Sequence, residues 1–273
     1  VRCSALLRRA ADVEAAACAL FEDLRAEGIH YAEVIFSPQV HLRRGLPLTA
    51  LLGGLGRARR RALTEGGPSI GYIADGGRLW GPKWFEEIVD QVAAFREDGV
   101  VAIGLGGDER TEKAGLFRRA FDLARKAGLG TVAHAGEGTT PREVRDVIDH
   151  LGVSRIGHGI AAASDPSLLR LLARRGILLE ICPTSNLMTG AVRSPARHPL
   201  RAILDAGVDV ALGSDDRSIF GTTLRGEYAL AVGRLGVAPA RAQAMIVSAA
   251  RSSFTSRTEG RILLAKIAAA LRR

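Results

Sequence analysis

The chain has 273 residues, of which 47% are hydrophobic and 25% charged, and a formal net charge of +9. This ordinary globular composition excludes a disordered, collagen-like or disulfide-scaffold protein, and no apolar run approaches the ~18 residues of a membrane span. The basic residues are nearly all arginine and fall in short, scattered clusters (Arg43-Arg44, Arg57 with Arg59–Arg61, Arg118-Arg119, Arg174-Arg175, Arg272-Arg273). They do not form the concentrated, aromatic-interleaved face of a nucleic-acid binder, so neither a nucleic-acid nor a membrane partner is expected.

In chain order, a helix is expected at Ala5–Glu27. Seven β-rich runs follow: Tyr31–Phe36, Ile70–Ala74, Val100–Leu105, Thr131–His134, Arg155–His158, Ile177–Ile181 and Val208–Leu212. Amphipathic segments lie between them at Pro82–Glu97, Glu112–Lys126, Pro141–Leu151, Pro166–Arg175 and His198–Ala206. Several open on proline and close on glycine (Pro82 to Gly99, Pro141 to Gly152, Pro166 to Gly176, Pro199 to Gly207), as helices do. From about Glu227 to Arg273 the chain reads as a helical extension. Strand–helix alternation with short loops implies parallel strands and crossover helices. No linker divides the chain, which reads as one domain over 1–273. Cys3, Cys18 and Cys182 have no paired spacing and no signal-peptide pattern opens the chain. That pattern reads as a reduced, cytoplasmic protein with Cys18 and Cys182 in the core.

The polar residues mark the architecture. Gly104-Leu105-Gly106-Gly107 lacks the spacing of a dinucleotide loop and runs into Asp108-Glu109, two acids that repel a pyrophosphate. Ser37, Gly106–Glu109, His134 with Glu137, His158, Asn186 and Asp215-Asp216 each end or follow a strand. Reactive residues on successive strand ends are the pattern of a β/α barrel. His134 and Glu137 suit a metal ligand and a proton carrier beside it, or a core histidine and a helix cap. His158 stands between two glycines, which permit close approach of a ligand or a sharp turn. Asp215 and Asp216 repel each other and need a cation, a proton or strong donors, unless they only cap a helix. His30, His41, His150 and His198 read as surface or packing residues.

Taken together, the blocks YAEVIFSP (31–38), GLGGDE (104–109), HAGE (134–137), RIGHGI (155–160), EICPTSN (180–186), HPLRAILDAGVDVALGSDD (198–216) and FGTTLRGEY (220–228) resemble the adenosine deaminase family of the amidohydrolase superfamily. Their order and spacing are similar to that family's, including relatives that deaminate 6-aminodeoxyfutalosine. The resemblance implies a zinc-dependent aminohydrolase that converts a 6-aminopurine nucleoside, adenosine or 6-aminodeoxyfutalosine, to the 6-oxo product and ammonia. It implies His134 and Asp215 as Zn2+ ligands, with Asp215 also a partner of the attacking water. Glu137 is implied as the general acid at purine N1, and His158 as the group that orients the water and stabilises charge at C6. Asp216 is implied to bind N7, and the Gly107 N–H to face N3.

The departures are equally specific. The family's other two zinc ligands form an H-x-H pair on the first barrel strand, and no H-x-H occurs in this sequence. Seven runs stand where a closed barrel has eight strands. The implied fold is a (β/α)8 TIM barrel of the metal-dependent hydrolase type lacking its first strand. The start at Val1 and the intact remainder favour an N-terminally incomplete deaminase. The other reading is a short, metal-poor relative, catalytically impaired, that serves as a purine-nucleoside binding module. Gly104 replaces a common Asp, Arg217 a usual Pro, and Ile160 a residue that is often aromatic or charged.

Overall fold

The computed structural model describes residues 3–272, Cys3 by its backbone alone. Readings that rest on Val1, on the Cys3 thiol or on Arg273 lie outside the described residues. Strand order follows chain order from first to seventh, and every pair is parallel. The chain divides into two compact units, Val1–Glu112 with Leu116–Thr131, and Lys113–Gly115 with Val132–Arg273.

The first unit contains α1 (Ala10–Ala26), β1 (Tyr31–Phe36), α2 (Pro38–Leu42), α3 (Leu48–Thr64), β2 (Ser69–Gly77), α4 (Pro82–Val92), β3 (Val100–Gly106), α5 (Arg118–Lys126) and the first residues of β4 (Gly130–Ala135). Strand β1 runs in register with β2 from Tyr31↔Ser69 to Phe36↔Ala74. Strand β2 pairs with β3 after a shift between Tyr72 and Ile73. Both β2 and β3 are apolar and buried along nearly their whole length, as parallel strands covered by helices are. Helix α1 packs on α3: Val13, Ala17, Phe21 and Leu24 recur at helical spacing and are buried, as are Leu51, Leu52, Leu55 and Ala58 of α3. Tyr72 buries its ring in this unit and donates its hydroxyl to the Leu55 carbonyl at 2.7 Å.

The helix expected at Ala5–Glu27 is broken. A 3-10 turn covers Cys3–Leu6 and α1 starts only at Ala10. The cause is local: the Asp12 carboxylate accepts the backbone N–H groups of Arg8 and Arg9 at 3.1 and 3.0 Å, which fixes the helix start there. The Pro82–Glu97 segment leaves α-geometry at Val92, and Glu112–Lys126 is α-helical only from Arg118.

The second unit holds the rest of β4, then α6 (Pro141–Asp146), β5 (Arg155–His158), α7 (Pro166–Arg175), β6 (Leu178–Ile181), α8 (Pro183–Met188), α9 (Leu200–Asp205), β7 (Val210–Leu212), α10 (Arg217–Phe220), α11 (Leu224–Arg234), α12 (Pro239–Arg251) and α13 (Arg257–Ala270). Helix α6 runs on into a π-turn, Val147–Leu151. Caps follow the sequence signals. Asp165 accepts from the N–H groups of Ser167 and Leu168 at the start of α7, and Gly176 ends that helix in the left-handed region. Arg155 at the start of β5 is buried. It pairs with Glu180 of β6 at 2.7 Å, donates to the Ser252 carbonyl at 3.0 Å, and lies 3.8 Å over the Phe254 ring, tying the strands to the chain after α12.

Candidate active site

Four strand ends of the second unit supply the polar cluster. His134 is the penultimate residue of β4, with Glu137 in the loop after it. His158 ends β5, and Cys182 follows β6 and leads into α8. Asp215 and Asp216 follow β7 and precede α10. In parallel strands whose connections cross over through helices, these ends share one edge, which is why residues far apart in sequence meet.

His158 is the centre of the cluster and is 2% exposed. Its Nε2 lies 3.7 Å from Oε2 of Glu137 and 3.9 Å from Oδ2 of Asp215. On the other side of the ring, the Asn186 amide Nδ2 lies 3.0 Å from Nδ1. An amide nitrogen only donates, so Nδ1 accepts and the ring proton sits on Nε2, facing the two carboxylates. Burial, and then the adjacent His134 ring, push His158 down to about 3, so it is a neutral donor at pH 7. The His134 and His158 rings meet edge to face with centroids 4.9 Å apart.

That ring contact depends on a missing side chain. A Cβ on Gly157 would lie 2.7 Å from Cδ2 of His134, so the residue before His158 is small because His134 occupies the space beside it. Glu137 is held at one oxygen: Oε1 accepts from Thr189 Oγ1 at 3.2 Å and from Asn186 Nδ2 at 3.4 Å. Oε2 remains on the His158 side. Asp216 is exposed, yet partial desolvation and then the neighbouring Asp215 push its carboxyl up. His158 and Asp215 adopt positive φ, 60° and 49°, which L-residues accept only at a cost.

The structure thus brings together His134, Glu137, His158 and Asp215, with Asp216 next in the chain. Gly107 belongs to the first unit, where it follows β3 at φ 87°. In that unit Arg78 is wholly buried and donates to the Glu112 carbonyl at 2.9 Å, anchoring the loop after Gly107. Gly104 is explained there too: a Cβ at 104 would lie 2.5 Å from Oδ1 of Asp75, its partner on β2. A carboxylate from the neighbouring strand fills the space of the Asp that the resemblance would place at 104.

Sequence reasoning gave no role to Asn186, Cys182 or Glu227. Cys182 is buried as expected, but its Sγ, a ring nitrogen of His158 and a carboxylate oxygen of Asp215 all lie within 4.8 Å of one another. Burial, and next the charge of Asp215, hold its thiol well above the usual range. The nitrogen and oxygen donors His134 and Asp215 suit a zinc ion, and His158 and Cys182 add a further nitrogen and a sulfur to the same cluster. No helix among the described residues is long and apolar enough to cross a membrane.

Comparison with known proteins agrees with this geometry. The adenosine deaminase family model matches residues 2–270. The chain is 37% identical over 241 residues to an aminodeoxyfutalosine deaminase of Acidothermus cellulolyticus, covering 86% of this chain and 67% of the relative. It is 39% identical over 237 residues to an adenine deaminase of Rhizobium johnstonii, covering 87% and 74%. Among solved structures, the adenine deaminase of Arthrobacter aurescens superposes with a TM-score of 0.93 at 29% identity, covering 99% of this chain and 82% of that one. An amidohydrolase from Burkholderia ambifaria with bound zinc gives 0.87 at 26% identity, covering 96% and 76%. The seven parallel strands are those of the TIM-barrel deaminase fold without one strand. The chain belongs to the adenosine deaminase family.

Proposed function

We propose that the protein is a zinc-dependent aminohydrolase that replaces the 6-amino group of a purine with oxygen and releases ammonia. The observation that carries this reading is the single Nε2–H of His158 set between the carboxylates of Glu137 and Asp215, with its other nitrogen fixed by Asn186. His134 and Asp215 are the residues of this chain that would hold the metal. Zinc, when bound, supplies water activation, bringing the pKa of water down toward ~7.

The chain's own residues account for the proton movements. Glu137, anchored at Oε1, protonates ring N1 and makes C6 electrophilic. General acid catalysis of this kind contributes ~10²–10⁴-fold. Asp215 accepts a proton from the attacking water. His158, neutral and with Nε2–H fixed in direction, donates to the oxygen that bonds C6 and needs no reorganisation to do so. Asp216 is assigned to N7 on the resemblance. The N–H of Gly107 is assigned to N3 on the resemblance. Once the C6–O bond has formed, Asp215 passes the proton it took from water to the amino nitrogen, the hydroxyl proton returns to Glu137, and the C6–N bond breaks so that the nitrogen leaves as ammonia. The relatives' names define the substrates to try: adenine, 6-aminodeoxyfutalosine and N6-methyl-AMP, beside adenosine.

The test is release of the 6-amino group from each of these four by the purified protein, as ammonia or, from N6-methyl-AMP, as methylamine, with zinc supplied or chelated. Zinc-dependent release that disappears in Glu137→Gln supports the proposal. Stoichiometric purine binding with neither ammonia nor methylamine released would replace it with a binding module.

A further inference from the structure

Glu227 lies in the first turn of α11 and is 0% exposed. Nothing in the proposed reaction uses it, and it touches none of the groups assigned to substrate. A carboxylate removed from water costs several kcal/mol unless its oxygens are satisfied, and here both are. Oε2 accepts from the backbone N–H of Thr184 at 3.0 Å, and Oε1 accepts from Oγ1 of Thr222 at 2.6 Å.

Thr184 is the second residue of α8, and its N–H is one of those a helix leaves without an internal partner. Helix α8 has only six residues. A helix that short does not hold its own shape or place in water, so tertiary contacts set its position. Two residues beyond Thr184 stands Asn186, whose amide reaches both His158 and Glu137. The grip on Thr184 therefore acts on the segment that carries a side chain bonded to both catalytic groups.

We propose that Glu227 is a positioning residue: through Thr184 it fixes α8 so that Asn186 holds His158 in the Nε2–H tautomer and steadies Glu137. The catalytic part of this proposal rests on the deamination reading above, whereas the structural part does not. The carboxylate suits the task because it takes a backbone donor and a hydroxyl donor at once. Glutamine keeps an acceptor for Thr184 and turns an amide toward the Thr222 oxygen, so it preserves the grip in weaker form.

The test compares Glu227→Ala, Glu227→Gln and Thr222→Val in the full chain, below their melting temperatures. Two quantities are read: kcat and KM for ammonia release, and the imidazole 15N shifts of His158 in protein labelled at histidine. Glu227→Ala is expected to lower kcat by about tenfold or more with KM within about twofold, because catalytic alignment is lost while binding is retained. Its His158 shifts move toward a mixture of tautomers. Glu227→Gln recovers most of kcat and a single tautomer. A Glu227→Ala protein that only melts earlier, with kcat and the His158 shifts of the parent, overturns the proposal. Should Glu227→Ala fail to fold, Thr222→Val removes one of the two hydrogen bonds without a large cavity and is read the same way. Absence of ammonia from the parent protein would sink the deamination reading alone, and a tautomer loosened by Glu227→Ala would still support the grip on α8.

Discussion

The side-chain amide of Asn186 donates to Nδ1 of His158 at 3.0 Å and reaches Oε1 of Glu137 at 3.4 Å. One group thus sets the proton position on the imidazole and the direction of the carboxylate. Asn186→Asp keeps the size but reverses the first bond, since a carboxylate accepts from Nδ1–H and moves the ring proton away from Glu137 and Asp215. It also places a like charge against Glu137. A wrong tautomer can cost up to ~10⁴-fold in kcat where histidine takes and returns a proton. Here His158 only donates, so about 10²-fold is expected. Steady-state kinetics of the folded variant check this, and kcat within about threefold of the parent would remove Asn186 from the mechanism.

Glu137→Gln leaves Oε1 in place for Asn186 and Thr189 and removes the transferable proton. The expected loss is ~10²–10⁴-fold in kcat, with the unfolding midpoint almost unchanged because no core contact is lost. Kinetics and urea unfolding on the same preparation separate the two.

Gly157→Ala tests the link between the strand and the His134 ring. The added Cβ falls 2.7 Å from Cδ2 of His134, so the ring or the strand must shift. Overpacking of this kind costs roughly 1–3 kcal/mol. The specific expectation is weaker zinc retention, measured as metal per chain after dialysis, out of proportion to the loss of stability.

His198 supplies part of the pH dependence of stability, beside His41 and His158, which burial also pushes down. It is 7% exposed, its Nδ1 accepts from the Leu200 N–H at 3.2 Å, and burial pushes it down from 6.5 to about 4. The folded form keeps it neutral, whereas the unfolded chain takes up a proton below its ordinary pKa. Its contribution to stability is therefore complete above about pH 6.5 and falls as the pH drops toward about 4, by up to roughly 1.4 kcal/mol per pH unit. His198→Asn keeps an acceptor for Leu200 and cannot titrate. Urea unfolding across this range is expected to give a flatter pH profile for the variant, and parallel profiles would refute the assignment.

Arg155→Met removes a buried guanidinium from Glu180, from the Ser252 carbonyl and from the Phe254 ring together. Glu180 is then left half-shielded without its partner, and breaking such a pair costs about 3 kcal/mol or more. Thermal melting reads the loss. Activity per folded molecule is expected to persist, because the ion pair lies at the start of β5 and the cluster at its end.

The strands were legible because each is written as a short β-rich run bounded by turn residues. Tyr31–Phe36 and Arg155–His158 match β1 and β5 residue for residue. Helix starts were less so, because Asp12 competes for backbone donors in a way that hydrophobic spacing does not record. His134, Glu137, His158 and Asp215 could be nominated because each ends or follows a strand. The roles of Asn186 and Glu227 could not. Their partners lie 28 and 43 residues away, and only the folded backbone brings the pairs to hydrogen-bond distance. Cys182 was placed in the core correctly, but the direction of its sulfur is set by the β6–α8 turn.

The positive φ of His158 and Asp215 leads to a conflict between durability and chemistry. Each residue sits where glycine would relax the backbone by ~1 kcal/mol or more, so selection for heat resistance alone favours removing them. Selection of random variants for survival on heating is therefore expected to enrich glycine or asparagine at 158 and 215, producing sturdier chains that no longer process purines. Among the described residues, the two non-glycine positions at positive φ are both ones that the proposed reaction uses.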